Sequence, residues 1–436
     1  MRYRPYMRYK AVSAAWMDRV PEHWAVEPVR MKYLLRNGYS FDSGRFAPEG
    51  TASERLVRIR DLSPVDSYVY TDEPCPPTAI VSDGDVLVGM DGDFNAVIWT
   101  DGPAKLNQRV CALRGADADS TRFLLYALPT PLKIINDTAY STTVKHLSSG
   151  EVLSEKVPIP PQPELRSIVA HLDRATARID ALIEKKTRFI ELLREKRRAV
   201  IVRAATKGFG VGVTMKNSGV EWIGDVPEHW VVSRLGHFAT VENGTTPSRE
   251  NDSFWAEGTV PWLGSGEVNQ KFVTEATAFI TDLALRSCSL RLLPMETVVV
   301  GMIGQGKTRG LAAILKIDAT INQNLAAIRP GPCLLPNYLL HVLEAAYEWV
   351  REAGRGSNQA ALNCEILSEF RLALPPTAEQ EAILEHVSRT LNVMEALGRK
   401  TEQSVSLLKE RRAALITAAV TGQIDVRAEV PAEALA

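Results

Sequence analysis

Cysteine is scarce in this sequence. There are five in 436 residues, Cys75, Cys111, Cys288, Cys333 and Cys364, with no C-x-x-C pair and no neighbouring Cys/His cluster. That spacing offers neither a disulfide framework nor a zinc site, and the thiols are expected as small, buried apolar groups. Long hydrophobic runs are lacking too. No stretch approaches the ~20 apolar residues of a membrane span, and the basic, aromatic start is not followed by the apolar core of a signal peptide. A cytoplasmic protein with no membrane partner is expected. Net charge is nearly absent as well, with 51 Lys+Arg against 52 Asp+Glu, which would argue against a nucleic-acid partner if the charge were evenly spread. It is not. Residues 163–208 hold twelve Lys/Arg against six Asp/Glu, with Arg194, Lys196, Arg197 and Arg198 crowded together, whereas residues 377–423 hold six of each.

Catalytic signatures are missing in the same way. There is no G-x-S-x-G elbow, no Asn-Pro-Pro-aromatic or Asp-Pro-Pro-Tyr run, and no convincing Gly-rich cofactor fingerprint. No catalytic, cofactor-binding or metal-binding residue is assigned, and the chain reads as non-catalytic. One match stands against that reading. Gly301 to Thr308, GMIGQGKT, satisfies G-x-x-x-x-G-K-[ST] behind the apolar run 297–300. A P-loop needs a following helix whose N-terminal amides hold phosphate, yet two short apolar runs split by turn residues follow Thr308. A Gly-rich hairpin with Lys307 and Arg309 at its tip is expected, and a P-loop NTPase is the alternative.

What the chain has instead is itself, twice. WMDRVPEHW at 16–24 returns as WIGDVPEHW at 222–230, an offset of 206; LNQRVCALR at 106–114 is answered by INQNLAAIR at 321–329, and LLREKRRAVI at 192–201 by LLKERRAALI at 407–416, both at 215. A period this long is a duplicated domain pair and not a solenoid. Each copy opens with about 140 residues of short β-type runs broken by Gly, Pro, Asp and Asn turns, the pattern of an α+β domain. A proline pair, 160–161 or 375–376, then hands over to a long helix. His23 and His229 sit in the repeated Pro-Glu-His-Trp units, where a packed or capping role is expected.

The helices carry a heptad seam. Ile168, Leu172, Ala175, Ile179, Leu182, Lys186, Phe189, Leu193, Lys196 and Val200 alternate steps of four and three, and the same register at offset 215 runs from Ile383 to Leu415 with more polar residues in its middle. A stripe of this length is expected to be buried on a partner helix, most simply the other copy running antiparallel. A coiled-coil scaffold that binds only protein is the second alternative.

The VPEHW entries (20–24, 226–230), the Ile/Leu-Pro-Pro junctions (159–161, 374–376) and the Leu-Leu-x-Glu-[Lys/Arg]-Arg helix segments (192–197, 407–412) resemble the specificity subunits of type I restriction-modification systems. The resemblance implies two target recognition domains separated by an antiparallel coiled coil in a pseudo-twofold arrangement. The expected extents are an arm at 1–19, recognition domains at 20–162 and 227–376, long helices at 163–208 and 377–423, a linker at 209–226 and a tail at 424–436. It also implies partners: double-stranded DNA read as a bipartite asymmetric site, two methylation subunits using S-adenosylmethionine on adenine N6, and motor-nuclease subunits holding ATP and Mg. No cofactor is expected in this chain. The DNA-contacting candidates are Arg58, Arg60, Lys105, Asn107, Gln108, Arg109 and Lys145 in the first domain. In the second they are Thr246, Arg249, Gln305, Lys307, Arg309, Asn322, Gln323, Asn358 and Gln359. For the matched pairs 107–108 and 322–323 the stronger expectation is that they brace a loop, because a pair kept in both copies suits that role better than reading two different half-sites. Arg194, Arg197 and Arg198 are the candidates for holding a partner subunit.

Overall fold

Val86–Gly89 (VLVG) and Val298–Gly301 (VVVG) are apolar throughout and buried throughout, as central strands covered on both faces must be. Around them the chain forms an α+β structure, described here from a computed structural model for residues 3–52, 54–63, 67–138, 145–304, 307–354 and 361–427. It divides into two compact units, Met1–Lys186 with Gln403–Ala436, and Thr187–Glu402.

In the first unit Val86–Gly89 lies in a four-stranded antiparallel sheet ordered Leu34–Asn37, Val110–Arg114, Val86–Gly89, Ala96–Ile98. A second four-stranded sheet runs Val69–Tyr70, Arg55–Val57, Ala104–Leu106, Ile80–Val81, and in it Leu56 pairs with Lys105 in parallel. The second unit repeats this. Its larger sheet has the order Ala239–Asn243, Leu325–Pro330, Val298–Gly301, Ala312–Leu315, with Phe272–Val273 added at the edge. Its smaller sheet is Ala278–Ile280, Val260–Leu263, Thr320–Ile321, and Trp262 pairs in parallel with Thr320, as Leu56 does with Lys105. The sequence offsets of 206 and 215 are therefore also offsets of sheet register.

Two long helices, Gln162–Thr206 of 45 residues and Thr377–Val420 of 44, begin directly after the proline pairs. Each rises about 66 Å at 1.5 Å per residue. The repeated Pro-Glu-His-Trp unit fastens them. His23 Nε2 donates to Glu164 Oε2 at 2.9 Å and His229 Nε2 to Glu379 Oε2 at 2.8 Å, so each histidine holds the first turn of the helix that follows its own domain. The tryptophans, both fully buried, hold helix ends instead. Trp24 lies beside Gly422, past the end of the second helix, and Trp230 beside Gly208, past the end of the first. Both glycines have positive φ, +70° at Gly422 and +61° at Gly208, the left-handed C-terminal turn that disfavours any side chain. The N-terminal arm closes the first unit, Arg4 pairing with Asp425 and Tyr9 Oη donating to the Gly422 carbonyl at 3.0 Å.

Each unit also shows the helices running antiparallel. In the first, Ile168 and Leu172 share a core with Ile416, Ala419 and Val420, and Arg412 meets Asp180 at 2.8 Å. In the second, Ile201, Ala204 and Ala205 share a core with Ile383 and Val387, and Arg194 lies 3.8 Å from Glu402. The expectation of a seam buried along its whole length is corrected. It is buried where a domain core covers it, but Leu182, Phe189 and Leu397 are 44%, 38% and 41% exposed. Two helices alone enclose only a narrow strip, and Lys186, Lys196 and Thr401 interrupt the apolar stripe there. The thiol expectation also needs correction: Cys111 is buried, but Cys333 is exposed and the other three are intermediate.

Candidate nucleic-acid interface

The residues selected for DNA contact fall into three kinds. The first is occupied by the fold. Lys105 is 3% exposed, and its ammonium lies on Glu54 at 2.5 Å and donates to the carbonyls of Glu73 at 2.6 Å and Thr71 at 3.2 Å. A lysine so engaged has no donor for a phosphate, and the expectation for Lys105 is corrected accordingly. Arg58 is similarly placed: its Nε and Nη2 donate to the fully buried Asp61 carboxylate at 3.0 and 3.1 Å, closing the short turn Ile59–Leu62. Lys145 donates to the Asn136 carbonyl and to Asn136 Oδ1, the latter at 3.2 Å.

The Asn-Gln pairs form the second kind. Asn107 N–H donates to the Val57 carbonyl at 2.9 Å, while its Oδ1 accepts from Arg109 N–H at 3.4 Å. Asn322 does the same with Leu263 at 2.9 Å and Asn324 at 3.0 Å. Both asparagines therefore brace one turn, and Asn322 is only 7% exposed. The glutamines beside them point outward, and Gln323 Oε1 accepts from Thr246 Oγ1.

The third kind is exposed. Arg60 and Gln108 are exposed without side-chain partners among the described residues. Arg109 reaches Asp91 at 3.3 Å, and Asp91 also accepts from His146 Nδ1 at 2.7 Å, so Arg109, His146 and the Gly92 turn meet at one sheet end. In the second unit Arg249 lies over the rings of Trp255 and Trp262, 3.9 and 5.1 Å from their centroids. Lys307 is exposed and Arg309 half-buried, while Gln305, Asn358 and Gln359 lie outside the described residues.

The P-loop alternative is resolved by this geometry. Gly310 N–H donates to the Gly301 carbonyl at 2.8 Å and Gly301 N–H to the Leu311 carbonyl at 2.9 Å, so Val298–Gly301 is paired back onto the residues that lead into the strand Ala312–Leu315. Residues 307–311 form a turn and not the helix whose N-terminus would hold a phosphate. Among the described residues there is no cluster of His, Cys, Asp or Glu able to hold a metal, and no helix is long and apolar enough to cross a membrane.

Sequence reasoning missed the residues that position these groups: Asp61, Asp91, Trp255, Trp262 and, on the helix side, Glu344. Arg197 Nη2 lies 2.6 Å from Glu344 Oε1, and Glu344 is also 3.8 Å from Lys271 Nζ and 3.3 Å from His341 Nδ1. Of the three helix arginines only Arg198 has no ion-pair or hydrogen-bond partner among the described residues.

Comparison with known proteins meets this geometry. The specificity subunit of the type I restriction enzyme EcoBI of Escherichia coli is 27% identical over 417 residues, covering 91% of this chain and 86% of that protein. That of MjaVIII of Methanocaldococcus jannaschii is 22% identical over 433 residues, covering 94% and 95%. In fold, the chain aligns with one solved in work on complex assembly and conformational transition of the type I R-M system, with a TM-score of 0.72, 16% identity and coverage of 93% and 99%. The HsdS subunit of Thermoanaerobacter tengcongensis aligns at 0.52, with 16% identity and coverage of 93% and 98%. The model of the type I restriction modification DNA specificity domain matches twice, at residues 48–192 and 227–405, and the chain therefore belongs to that family as a DNA sequence-recognition subunit that is not itself an enzyme.

Proposed function

We propose that each recognition domain, 20–162 and 227–376, reads one half of a split, asymmetric duplex site. In this reading the helices 163–208 and 377–423 carry two methylation subunits, which methylate adenine N6 in each half using S-adenosylmethionine. The linker at 209–226, the arm at 1–19 and the tail at 424–436 serve connection and closure. Motor-nuclease subunits, holding the ATP and Mg sites, join for restriction.

The observation that carries the reading is the duplication. One strand order occurs twice with different side chains at matched register positions, Leu56 against Trp262 and Lys105 against Thr320. A repeated framework with unlike surfaces suits a site whose halves differ. The half-exposed apolar residues of the helices, Leu182, Phe189, Leu192, Leu397 and Leu407, support partner docking there, as does the unengaged Arg198. Near-neutral total charge is compatible with DNA binding if partner subunits share in phosphate neutralisation.

The test is a domain exchange. Residues 227–373 are replaced by the same segment of a relative, and N6-methyladenine is mapped across the host genome. One half of the methylated sequence changes and the other stays. A change in both halves, or in neither, contradicts the assignment of one domain to one half-site, and a chain that binds no duplex DNA in its methylation complex is instead a protein scaffold.

A further inference from the structure

Resting on the split-site reading, we infer that Arg249 reads a guanine edge in the half-site of the second domain, as a guanidinium held ready by two indoles. Five cations of this domain are already engaged by carboxylates. Arg234 meets Glu369 at 2.8 Å, Arg291 and Arg329 meet Glu242 at 2.8 and 3.0 Å, Lys316 meets Glu296 at 2.6 Å and Lys271 lies 3.8 Å from Glu344. Arg249 is exposed, and among the described residues no carboxylate accepts from it. Its contacts are rings: Trp255 at 3.9 Å and Trp262 at 5.1 Å.

The rings are themselves fixed. Trp255 Nε1 donates to the Ser248 carbonyl at 2.9 Å, one residue before Arg249, and Trp262 Nε1 donates to the Thr245 carbonyl at 3.1 Å. The two indoles meet edge to face, 5.2 Å apart at 86°. The loop that carries the arginine is thus tied at both ends of the stretch 245–248 to the rings on which the arginine lies. Asn251 Oδ1 accepts from Ser253 N–H at 3.2 Å and Thr281 Oγ1 donates to the Ser253 carbonyl at 2.8 Å, which holds the stretch between Arg249 and Trp255.

A guanidinium held over indole rings keeps its planar fork of N–H donors, with part of the rotamer entropy already spent. That is the requirement for a bidentate bond to guanine O6 and N7, where two donors must meet two acceptors in the plane of the base. A phosphate imposes no such plane, and an unsupported lysine or arginine serves it as well. Thr246 and Gln323 stand next to the stack, joined to one another, and offer a second polar group to a neighbouring base. The first copy lacks the device. At offset 206, the offset fixed by sheet register, Ser43, Glu49 and Leu56 replace Arg249, Trp255 and Trp262. The guanine contact therefore belongs to one half of the site only.

The experiment uses the complete chain assembled with its methylation subunits and a duplex library randomised across the site. The wild type selects a fixed G·C pair at one or more positions in the half that moves with residues 227–373. Arg249→Lys keeps the charge but not the fork, and makes one such position degenerate, lowering its discrimination by roughly 5- to 150-fold, the range of one bidentate pair. Trp255→Leu, which removes the stack and leaves the guanidinium, weakens the same position to a smaller degree and no other. An Arg249→Lys complex with unchanged preference at every position overturns the inference, and a uniform affinity loss with a shallower salt dependence assigns Arg249 to a phosphate instead. A wild type that selects no sequence fails the split-site reading itself, whereas a selected half-site without a G·C pair fails this inference alone.

Discussion

Glu344→Gln removes one charge at the point where the first long helix meets the second recognition domain. Glu344 closes the helix Pro336–Ala345 and receives Arg197, Lys271 and His341. Burial alone would raise its carboxyl pKa, but the bond from His341, Lys271 and Arg197 outweigh burial and hold it at about 2, down from 4.5. A depressed carboxyl contributes stability that is fully present above its unfolded pKa, near 4.5, and is lost as pH falls through the folded value near 2. The shift corresponds to about 3 kcal/mol, reduced to roughly 2 because the side chain is 29% exposed and partly screened. Hydrogen exchange of the complete chain, read over 336–345 and 190–201, measures it. The variant should lose about 2 kcal/mol of protection at pH 7, and the difference should fall to roughly half by pH 3, because the carboxyl of the opened chain takes up a proton below its pKa of 4.5 while the folded one does not. A difference independent of pH assigns the loss to altered shape and not to charge, and one under about 0.5 kcal/mol makes the cluster an ordinary surface network. The consequence for partner binding is direct. Charge reversal at Arg194, Arg197 and Arg198 together would disturb the fold through Arg197, so methylation-subunit assembly is better probed at Arg198 with Arg194, whose 3.8 Å pair with Glu402 is exposed on both sides.

The two helix-end glycines should differ in their tolerance. Both have positive φ, so alanine costs about 1–2 kcal/mol at either; but at Gly422 the new methyl would also stand 2.3 Å from the rigid Pro21 ring, against 3.1 Å from Trp230 at Gly208. Gly422→Ala should therefore lower the melting temperature well beyond Gly208→Ala, and equal shifts would refute the contact with Pro21. Lys307→Ala should leave the purified chain as it was, with no ATP turnover before or after. Hydrolysis that disappears on this substitution would restore the P-loop.

The parts of the fold that were legible in the sequence are those fixed by neighbours along the chain or by the repeat. The proline pairs 160–161 and 375–376 end a strand and start a helix, and Lys156–Ile159 and Arg371–Leu374 do end so. The repeated Pro-Glu-His-Trp units point to a packed or capping role for their histidines, and these hold the first helical turns. What was not legible is decided between residues far apart. Nothing in the spelling of Lys105 shows that Glu54 and the carbonyls of Thr71 and Glu73 will enclose it, and nothing near Arg197 in sequence announces Glu344. The heptad pattern likewise specified which residues share a helix face, but burial of that face depends on what else covers it. The domain cores cover its ends and leave Leu182 and Leu397 half-exposed.

The duplication separates framework from recognition within a single chain. Where both copies keep a residue and its partner, the task is the same: Asn107 and Asn322 brace matched turns, His23 and His229 bind the matched helix glutamates Glu164 and Glu379, and Trp24 and Trp230 back the same kind of glycine. Where the backbone register is kept but the residue is not, the chemistry diverges. The position beside the parallel strand pair is a leucine in one copy and Trp262 in the other; its cross-strand neighbour is Lys105, buried among carbonyls, in one and Thr320, bonded to the Pro261 carbonyl at 2.9 Å, in the other. A difference this close to the core changes which loops can stand on the sheet above it. The engaged Lys105 ties the 71–73 segment down, and Trp262 instead supports the loop at 245–249 on which Arg249 is displayed. Difference between the two copies thus begins in the cores of the two small sheets, one layer beneath the exposed residues that composition and polarity single out. A search confined to surface Arg, Lys, Asn and Gln finds exposed candidates and misses what holds them in place.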